Sequence, residues 1–150
     1  MTVKVTGVRD FKVAMRRLGA SFNDAVDDGV FVTANEVRNY AIKSIQESSP
    51  GQTVQRSKQG GGGSYSHVAA APGQAPNTDT GKLVASIAVE PTGDMRYAVG
   101  SSLPYATYLE FGTSQMSSRP WLNPALNAKG FLMSDNIAKT VQIAIDRIAP

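Results

Sequence analysis

The segment that most constrains the fold is SFNDAVDDGVFVTANEVRNYAIKSIQESSP, residues 21–50. Apolar and small side chains recur in it at intervals of three and four, as they do in an amphipathic α-helix. The recurring positions are Phe22, Val26, Val30, Thr33, Val37, Tyr40, Ala41 and Ile45. Ser21 followed by Asp24 fits a capping box at the start, and Pro50 marks the end. The sequence therefore predicts one long helix here, with a face that must be buried.

The residues before this helix predict two short elements. Valines alternate with polar residues in TVKVTG, residues 2–7, which is typical of a short strand at a sheet edge. A helical stripe follows, made of Phe11, Ala14, Met15 and Leu18. Because glycine weakens a helix interior, we expect Gly19 to interrupt this first helix.

Residues 51–79 show no sustained period and include four consecutive glycines, Gly60 to Gly63. A glycine-rich chain is costly to order, so we predict a long flexible loop with a mobile tip. A phosphate-binding loop would need a strand before the glycines and a helix with Lys-Ser or Lys-Thr after them. Neither flank is present, and we expect the loop to order only against a neighbour.

The second half of the chain predicts a hairpin and further helices. Residues 86–90 and 95–101 are strand-like around the turn sequence PTGD, after one helical turn at 82–85. A short helix within LPYATYLEFGT should end at Gly112. Asn123 and Pro124 suit the start of a last, long helix.

Together these elements predict an α+β protein with a small, mostly antiparallel sheet packed against two long helices, and with the long flexible Gly-rich loop. The 150 residues, 41% of them hydrophobic, suit one domain with one core, spanning 1–150. No apolar run approaches the roughly 20 residues that cross a bilayer. The start also lacks the apolar core of a signal peptide, so we expect a soluble product.

The composition argues against an enzyme. The chain has no cysteine, which excludes thiolate nucleophiles and cysteine-ligated zinc, and its one histidine, His67, lies in the predicted loop. Asp24 and Asp28 share a helix face and have the chemistry to hold a divalent ion. Acids in a first helical turn are more commonly partners of the helix dipole. We therefore predict no catalytic site, no metal and no cofactor.

The net charge of +3 is unevenly distributed, with the excess of cations at the N-terminal end. The basic residues there include Arg9, Lys12, Arg16 and Arg17, and the predicted loop adds Arg56 and Lys58. Such charges are ordinarily solvated. If they met DNA, they would contact phosphates without sequence preference. A non-specific nucleic-acid-binding accessory protein is therefore an alternative function of another class.

Glu110 lies in the most aromatic stretch of the chain, YATYLEFGT, residues 105–113. A carboxylate between Leu109 and Phe111 must face solvent or be paired, because burying it alone is very costly. Arg119, nine residues on, is the candidate partner, either within the chain or across a subunit boundary. The alternative is a surface ion pair of small energetic value.

Three sequence blocks resemble those of a known protein family in their residues as well as in their spacing. They are APGQAPNTDTGKLVASI (71–87), VGSSLPYATYLEFGT (99–113) and RPWLNPAL (119–126). In this order and separation they resemble the head-tail joining, or tail-completion, family of long-tailed bacteriophages. That family is described as gene-product-ten-like and includes minor tail and neck proteins. The chain departs from it where Trp121 replaces the more usual Phe, and in the insertion of Gly60 to Gly63.

The resemblance implies a non-enzymatic structural protein of the virion, assembled in the host bacterial cytoplasm. It implies a homo-oligomeric ring, a hexamer, at the neck between the capsid connector and the tail tube. Expected partners are other copies, the connector or stopper, tail-tube or terminator proteins, and DNA passing through the channel, without a membrane. A tail terminator that caps the tube is the alternative within this class.

On this basis we predict the residues that contact neighbouring subunits or partners. They are Tyr105, Tyr108, Glu110, Phe111, Arg119, Trp121, Arg56, Lys58 and Tyr65. The predicted source of positive charge toward the DNA channel is Arg9, Lys12, Arg16 and Arg17.

Overall fold

The structure is a computed structural model that describes residues 8–47, 49–58 and 60–148, with side chains described from residue 15 to residue 147. In chain order the helices and strands are α1 (Val8–Gln46), β1 (Gly51–Ser57), β2 (Ser64–Ala70), α2 (Lys82–Ser86), β3 (Ile87–Gly93), β4 (Arg96–Ser101), α3 (Pro104–Phe111), α4 (Leu122–Lys129) and α5 (Met133–Ile148). A single 3-10 turn, Gly130–Leu132, joins the last two helices. The predicted leading strand, residues 2–7, lies outside the described residues.

The long helix is longer than the sequence predicts. α1 is one continuous element of 39 residues that passes through Gly19, so the predicted interruption there is wrong. An exposed glycine costs a helix about 1 kcal/mol relative to alanine. Because packing stabilises the later turns of α1, this cost does not interrupt the helix at Gly19. Ser21 and Asp24 consequently lie inside the helix and do not form the predicted capping box.

The fold class is α+β, as predicted, but the strands form two separate antiparallel pairs. The predicted hairpin is present as β3–β4, with a register irregularity between Pro91 and Gly93 near its turn. The segment predicted as an irregular loop contains a second hairpin, β1–β2, paired from Gly51 opposite Ala70 to Ser57 opposite Ser64. Its turn contains Gly60 to Gly63, all with positive φ, a conformation that glycine adopts without steric cost.

The structure also corrects the prediction for the C-terminal part of the chain. The predicted long helix is divided into α4 and α5 by the 3-10 turn at Gly130. Trp121 occupies the N-cap position of α4, so Asn123 lies within the first turn and is not the cap. α3 ends as predicted, with Gly112 at φ 77°. A Cβ on Gly112 would lie 2.7 Å from the Met116 carbonyl oxygen, so only glycine fits there.

The main core lies where the C-terminal half of α1 meets the short elements of the second half. α1 contributes Val37, Ala41 and Ile45. The other members are Leu83 from α2, Ile87 from β3, Ala106 from α3, and Trp121 and Ala125 at α4. The stripe that predicted the long helix therefore supplies one wall of this core.

The middle of α1 packs against α5 at close range. A Cβ on Gly29 would lie 2.6 Å from the Ile137 Cα, so the two backbones touch at this glycine. Beside it, Thr140 Oγ1 donates to the Ala25 carbonyl at 2.6 Å, and Asn136 Nδ2 donates to Thr33 Oγ1 at 3.1 Å. Small and hydrogen-bonded side chains thus fill the crossing.

Candidate partner interface

A cleft of about 1020 Å³ separates the β1–β2 hairpin from the body of the molecule. The hairpin contributes polar and aromatic side chains, among them Arg56, Lys58, Tyr65 and His67. Apolar side chains from the body include Ile45, Leu83, Val84 and Leu109. The volume of this open cleft lies at the upper end of the range of about 300 to 1,000 Å³ found for small-molecule pockets.

Asp79 connects the hairpin to the chain that follows it. Its Oδ1 accepts a hydrogen bond from the Tyr65 hydroxyl at 2.7 Å, and its Oδ2 lies 3.1 Å from Arg56 Nη1. His67 Nδ1 lies 3.8 Å from Oδ1. The hydrogen bond to Asp79 raises the pKa of Tyr65 above its ordinary value of 10.0, because the carboxylate favours the neutral phenol. These contacts hold the two strands over the cleft.

The base of the hairpin is fixed by Asn77 and Arg119. Asn77 Oδ1 accepts from the Ser49 amide at 2.6 Å. Its Nδ2 donates to the carbonyls of Ser49 and Val68 at 2.8 and 2.9 Å. Arg119 Nε donates to the Ala70 carbonyl at 2.8 Å. The hairpin is therefore positioned mainly by polar contacts, since β1 and β2 pack chiefly against each other.

Glu110 is buried and caps the start of α4. Its Oε2 accepts from the backbone amides of Trp121 and Leu122 at 2.8 and 2.9 Å, and its Oε1 accepts from that of Asn123 at 2.9 Å. The first amides of a helix have no partner within it, and the positive end of the helix dipole favours a carboxylate there. Glu110 thus joins α3 to α4.

The predicted ion pair between Glu110 and Arg119 is not formed within the chain. Arg119 donates instead to the carbonyls of Ala70 and Ser117. The prediction that a carboxylate here needs a partner is confirmed, but the partner is a helix N-terminus. The pattern of charged side chains in the sequence can point only to a cation as the partner of Glu110. The actual donors are backbone amides, 11 to 13 residues after Glu110 in the chain.

The aromatic residues of this region separate into one that is buried and three that are exposed. Trp121 is buried, and its indole Nε1 donates to the Ala106 carbonyl at 3.3 Å. Tyr108 and Phe111 are 55% and 71% exposed, and Tyr105 lines the cleft. Phe111 borders a smaller recess of about 220 Å³ beside Trp121. The exposed three form an aromatic face on α3.

The structure brings together five of the nine predicted interface residues at the cleft: Arg56, Lys58, Tyr65, Tyr105 and Arg119. Sequence reasoning missed Asp79 and Asn77, which organise this region. Both lie in the block APGQAPNTDTGKLVASI, one of the three that carry the family resemblance. Membership of that block is the signal by which the sequence could have pointed to these two residues. Of the predicted channel cations, Arg16 and Arg17 are exposed on α1, and the side chains of Arg9 and Lys12 lie outside the described part of the chain.

Two further properties concern only the part of the chain that the structure describes. No group of three or more His, Asp or Glu side chains there is arranged to hold a metal ion. None of the helices in the same residues is long and apolar enough to span a membrane.

The chain matches a family model, described as "Bacteriophage HK97-gp10, putative tail-component", over residues 9–112. The match includes α1, both hairpins, the cleft residues up to Leu109, and α3. The block RPWLNPAL lies beyond it. No curated protein and no solved structure matches the chain. The matched family is one of structural tail components of the virion and is not an enzyme family. The chain belongs to this HK97-gp10-like family of bacteriophage tail components.

Proposed function

We propose that this protein is a structural component of the phage neck that forms a homo-oligomeric ring. The ring joins the capsid connector to the tail tube and lets DNA pass through its centre. The observation that supports this most strongly is family membership across residues 9–112, which identifies a phage tail component. The sequence resemblance adds the neck position and a hexameric ring.

The exposed apolar surface supports an assembled state. Phe111 and Phe131 are 71% and 70% exposed, and Tyr105 and Tyr108 lie beside Phe111 on α3. A monomeric soluble protein rarely leaves large apolar side chains clustered at its surface, because water contact is unfavourable for each of them. Burial of the α3 aromatic face against a neighbouring subunit removes this cost.

A closed ring is the assembly that such a surface favours. When one face of a subunit binds a different face of the next, the contact repeats until the rotation closes. Each subunit then buries the same two faces, and no apolar surface remains at an end. The β1–β2 hairpin, which extends from the body with little packing of its own, provides a second element for neighbouring subunits or other neck proteins.

The charge distribution suits DNA passage without tight binding. Arg16 and Arg17 are exposed near the start of α1, while the next three turns contain Asp24, Asp27 and Asp28. Each phosphate contact contributes a salt-dependent term to the binding free energy, so a few scattered cations bind DNA weakly and without base preference. A channel through which DNA slides requires this weak, uniform interaction.

The experiment is to purify the protein and determine its mass in native mass spectrometry and its shape by negative-stain electron microscopy. We expect a ring, and we expect the protein to restore joined particles in extracts of phage that lack it. The double variant Tyr108→Ala with Phe111→Ala should lose the ring while keeping the helical circular dichroism of the wild type.

Phe22→Ala, on an exposed position of α1, is the control and should keep the ring. A wild-type protein that stays monomeric at every concentration, and that does not restore joined particles, would contradict the proposal. Tight, length-dependent DNA binding by that monomer would favour the accessory nucleic-acid-binding function instead.

The description of the family as a tail component favours a second candidate, the tail terminator that caps the tail tube. The two functions differ in what accumulates without the protein. Loss of a joining ring leaves finished heads beside tails of normal length, whereas loss of a terminator leaves tubes that keep growing. Electron microscopy of such lysates separates the two functions.

A further inference from the structure

The cleft carries an excess of positive charge. Its lining contains four cationic side chains and one acidic side chain: Arg56, Lys58, Lys82, Arg119 and Asp79. Asp79 is already engaged by Arg56, and Arg119 donates to backbone carbonyls. Lys58 and Lys82 are exposed, and within the described residues no acidic side chain forms a salt bridge with either. The cleft therefore offers two unused ammonium groups above an apolar floor.

A second region of the same chain has the opposite character. Residues 18–37 of α1 contain four acids and no lysine or arginine. Asp27 binds the turn of the β3–β4 hairpin, accepting from the Met95 amide at 3.1 Å and from the Tyr97 hydroxyl at 2.6 Å. This places α1 carboxylates beside the exposed Asp94 of the turn. We name the region formed by Asp24, Asp27, Asp28 and Asp94 the acidic tip.

The acidic tip also presents apolar side chains. Phe31 is exposed and lies against Tyr97, with ring centroids 5.2 Å apart, and Met95 in the turn is exposed as well. Arg96 is the cation nearest the turn in sequence, and within the described residues the four carboxylates of the tip form no salt bridge. Its mixture of carboxylates and exposed apolar groups complements the ammonium groups and apolar floor of the cleft.

These two surfaces cannot meet within one chain. Ile45 lies at the cleft and Asp28 at the acidic tip, and both belong to the same helix, α1. Seventeen residues of helix at 1.5 Å per residue hold them about 25 Å apart. Because a continuous helix does not fold back, their complementarity can be used only between two copies of the chain.

We propose that the cleft of one subunit receives the acidic tip of a second copy of this chain, with Asp28 and Asp94 meeting Lys58 and Lys82. This inference rests on the proposed ring and supplies the contact that closes it. The contact is heterologous, one face binding a different face, which is the type that generates rings. Complementary charge selects this register and speeds encounter, while the apolar groups supply most of the buried area.

A second copy fits the cleft better than DNA does. Asp79 sits among the cations and would face any phosphate placed there, and the floor is apolar. DNA contacts are made to phosphates through polar groups and cations, and an apolar floor offers them no partner. A protein turn with carboxylates at its edge and apolar side chains beside them satisfies both parts of the surface.

Charge reversal tests the contact. The cleft variant Lys58→Glu with Lys82→Glu, and the tip variant Asp28→Lys with Asp94→Lys, change exposed side chains and leave the core intact. We expect each variant alone to need at least about tenfold more protein for half-assembly than the wild type. An equimolar mixture of the two should assemble again, because each reversed cleft then meets a reversed tip. The matched control, Lys43→Glu with Arg147→Glu, makes the same charge change elsewhere and should assemble like the wild type.

The outcomes separate this contact from the ring itself. If the wild type forms a ring and both reversals leave its assembly unchanged, the ring stands and this contact is wrong. If each reversal prevents assembly but the mixture does not recover it, the direct pairing of cleft and tip is contradicted. If the cleft variant assembles normally but loses DNA retention in a salt-titrated gel shift, the cleft serves DNA. A wild type that never assembles overturns both proposals.

Discussion

The two β-hairpins of this protein have the same antiparallel topology but different relations to the rest of the chain. β3–β4 lies on α1 and buries Ile87 in the main core. β1–β2 is fully buried only at Ala70, and it is held by hydrogen bonds at its base and by the contacts of Asp79. An isolated two-stranded hairpin is marginally stable in water. The comparison indicates that β3–β4 belongs to the folded body, whereas β1–β2 has little packing beyond its own two strands, which is consistent with the partner contact that we propose.

The largest expected difference between the hairpins comes from removing one apolar side chain from each. Ile87 is 1% exposed, so Ile87→Ala should lower the free energy of unfolding by about 3 kcal/mol through lost burial and a cavity. Val68 on β2 is 42% exposed, so Val68→Ala should cost under about 1 kcal/mol. Urea denaturation followed by circular dichroism measures both. Equal losses would mean that β1–β2 is as much a part of the folded body as β3–β4.

The next largest difference in stability is expected between substitutions of two carboxylates that both accept hydrogen bonds, Glu110 and Asp79. Glu110→Gln places an amide group against backbone amides and leaves at least one buried donor without a partner, which should cost about 2 kcal/mol of unfolding free energy. Asp79→Asn, at the open cleft, should leave the thermal midpoint nearly unchanged because solvent replaces its partners.

Arg119→Lys distinguishes this helix cap from the ion pair that the sequence predicted. It should destabilise the protein much less than Glu110→Gln does, because the Arg119 side chain donates to the carbonyls of Ala70 and Ser117 and forms no ion pair with Glu110. A loss as large as that of Glu110→Gln would restore the ion-pair hypothesis.

A smaller, local effect is expected at the base of β1–β2. Asn77→Ala removes three hydrogen bonds to Ser49 and Val68, so residues 51–70 should exchange their amide hydrogens about tenfold faster. Amides of β3–β4 and α1 should keep wild-type protection, since the body does not depend on this side chain. Faster exchange throughout the chain would show that the two hairpins unfold together.

The smallest effect is on stability at alkaline pH. A hydrogen bond to a carboxylate raises the pKa of Tyr65 at one hairpin and of Tyr97 at the other above 10.0, through Asp79 and Asp27 respectively. The folded state therefore keeps these protons when the unfolded chain has lost them. The resulting stability is present below pH 10 and is lost as the pH rises through the folded pKa values.

Titration of the tyrosines by ultraviolet absorbance checks this. Asp79→Asn should lower the pKa of Tyr65 alone, and Asp27→Asn that of Tyr97 alone. If Asp79→Asn leaves the pKa of Tyr65 unchanged, the Tyr65 hydroxyl and the Asp79 carboxylate are not hydrogen-bonded in solution.

Much of the fold was predictable where local pattern and tertiary packing agree. The stripe from Phe22 to Ile45 predicted the helix, PTGD predicted the β3–β4 turn, and Gly112 predicted the end of α3. The β1–β2 hairpin was missed because β1 has a single apolar residue, Val54, and so lacks the alternation that marks a strand buried on one face. Gly19 was given too much weight because glycine is only a mild penalty inside a helix that packing stabilises.

The candidate site was predictable in part. The aromatic and basic residues predicted to contact partners indicated surfaces of this kind, and five of the nine line one cleft. Asp79 and Asn77 were not recognised, because their roles depend on which carbonyls, hydroxyls and cations the folded chain brings within 3 Å. For Glu110 the need for a partner was visible, and the identity of that partner was not.

By itself the sequence determined the helical and strand periods, the absence of thiol chemistry, and membership of a phage tail-component family. These follow from side-chain type and order along the chain, which local geometry converts directly into helices, turns and recognisable motifs. Only the tertiary structure decided that Glu110 caps α4, that Gly29 lets α5 touch α1, and that the basic cleft lies at the C-terminal end of α1 while the acidic surface lies at its middle. Such relations join residues distant in sequence through backbone groups common to every residue, so no pattern of side chains along the chain can specify them.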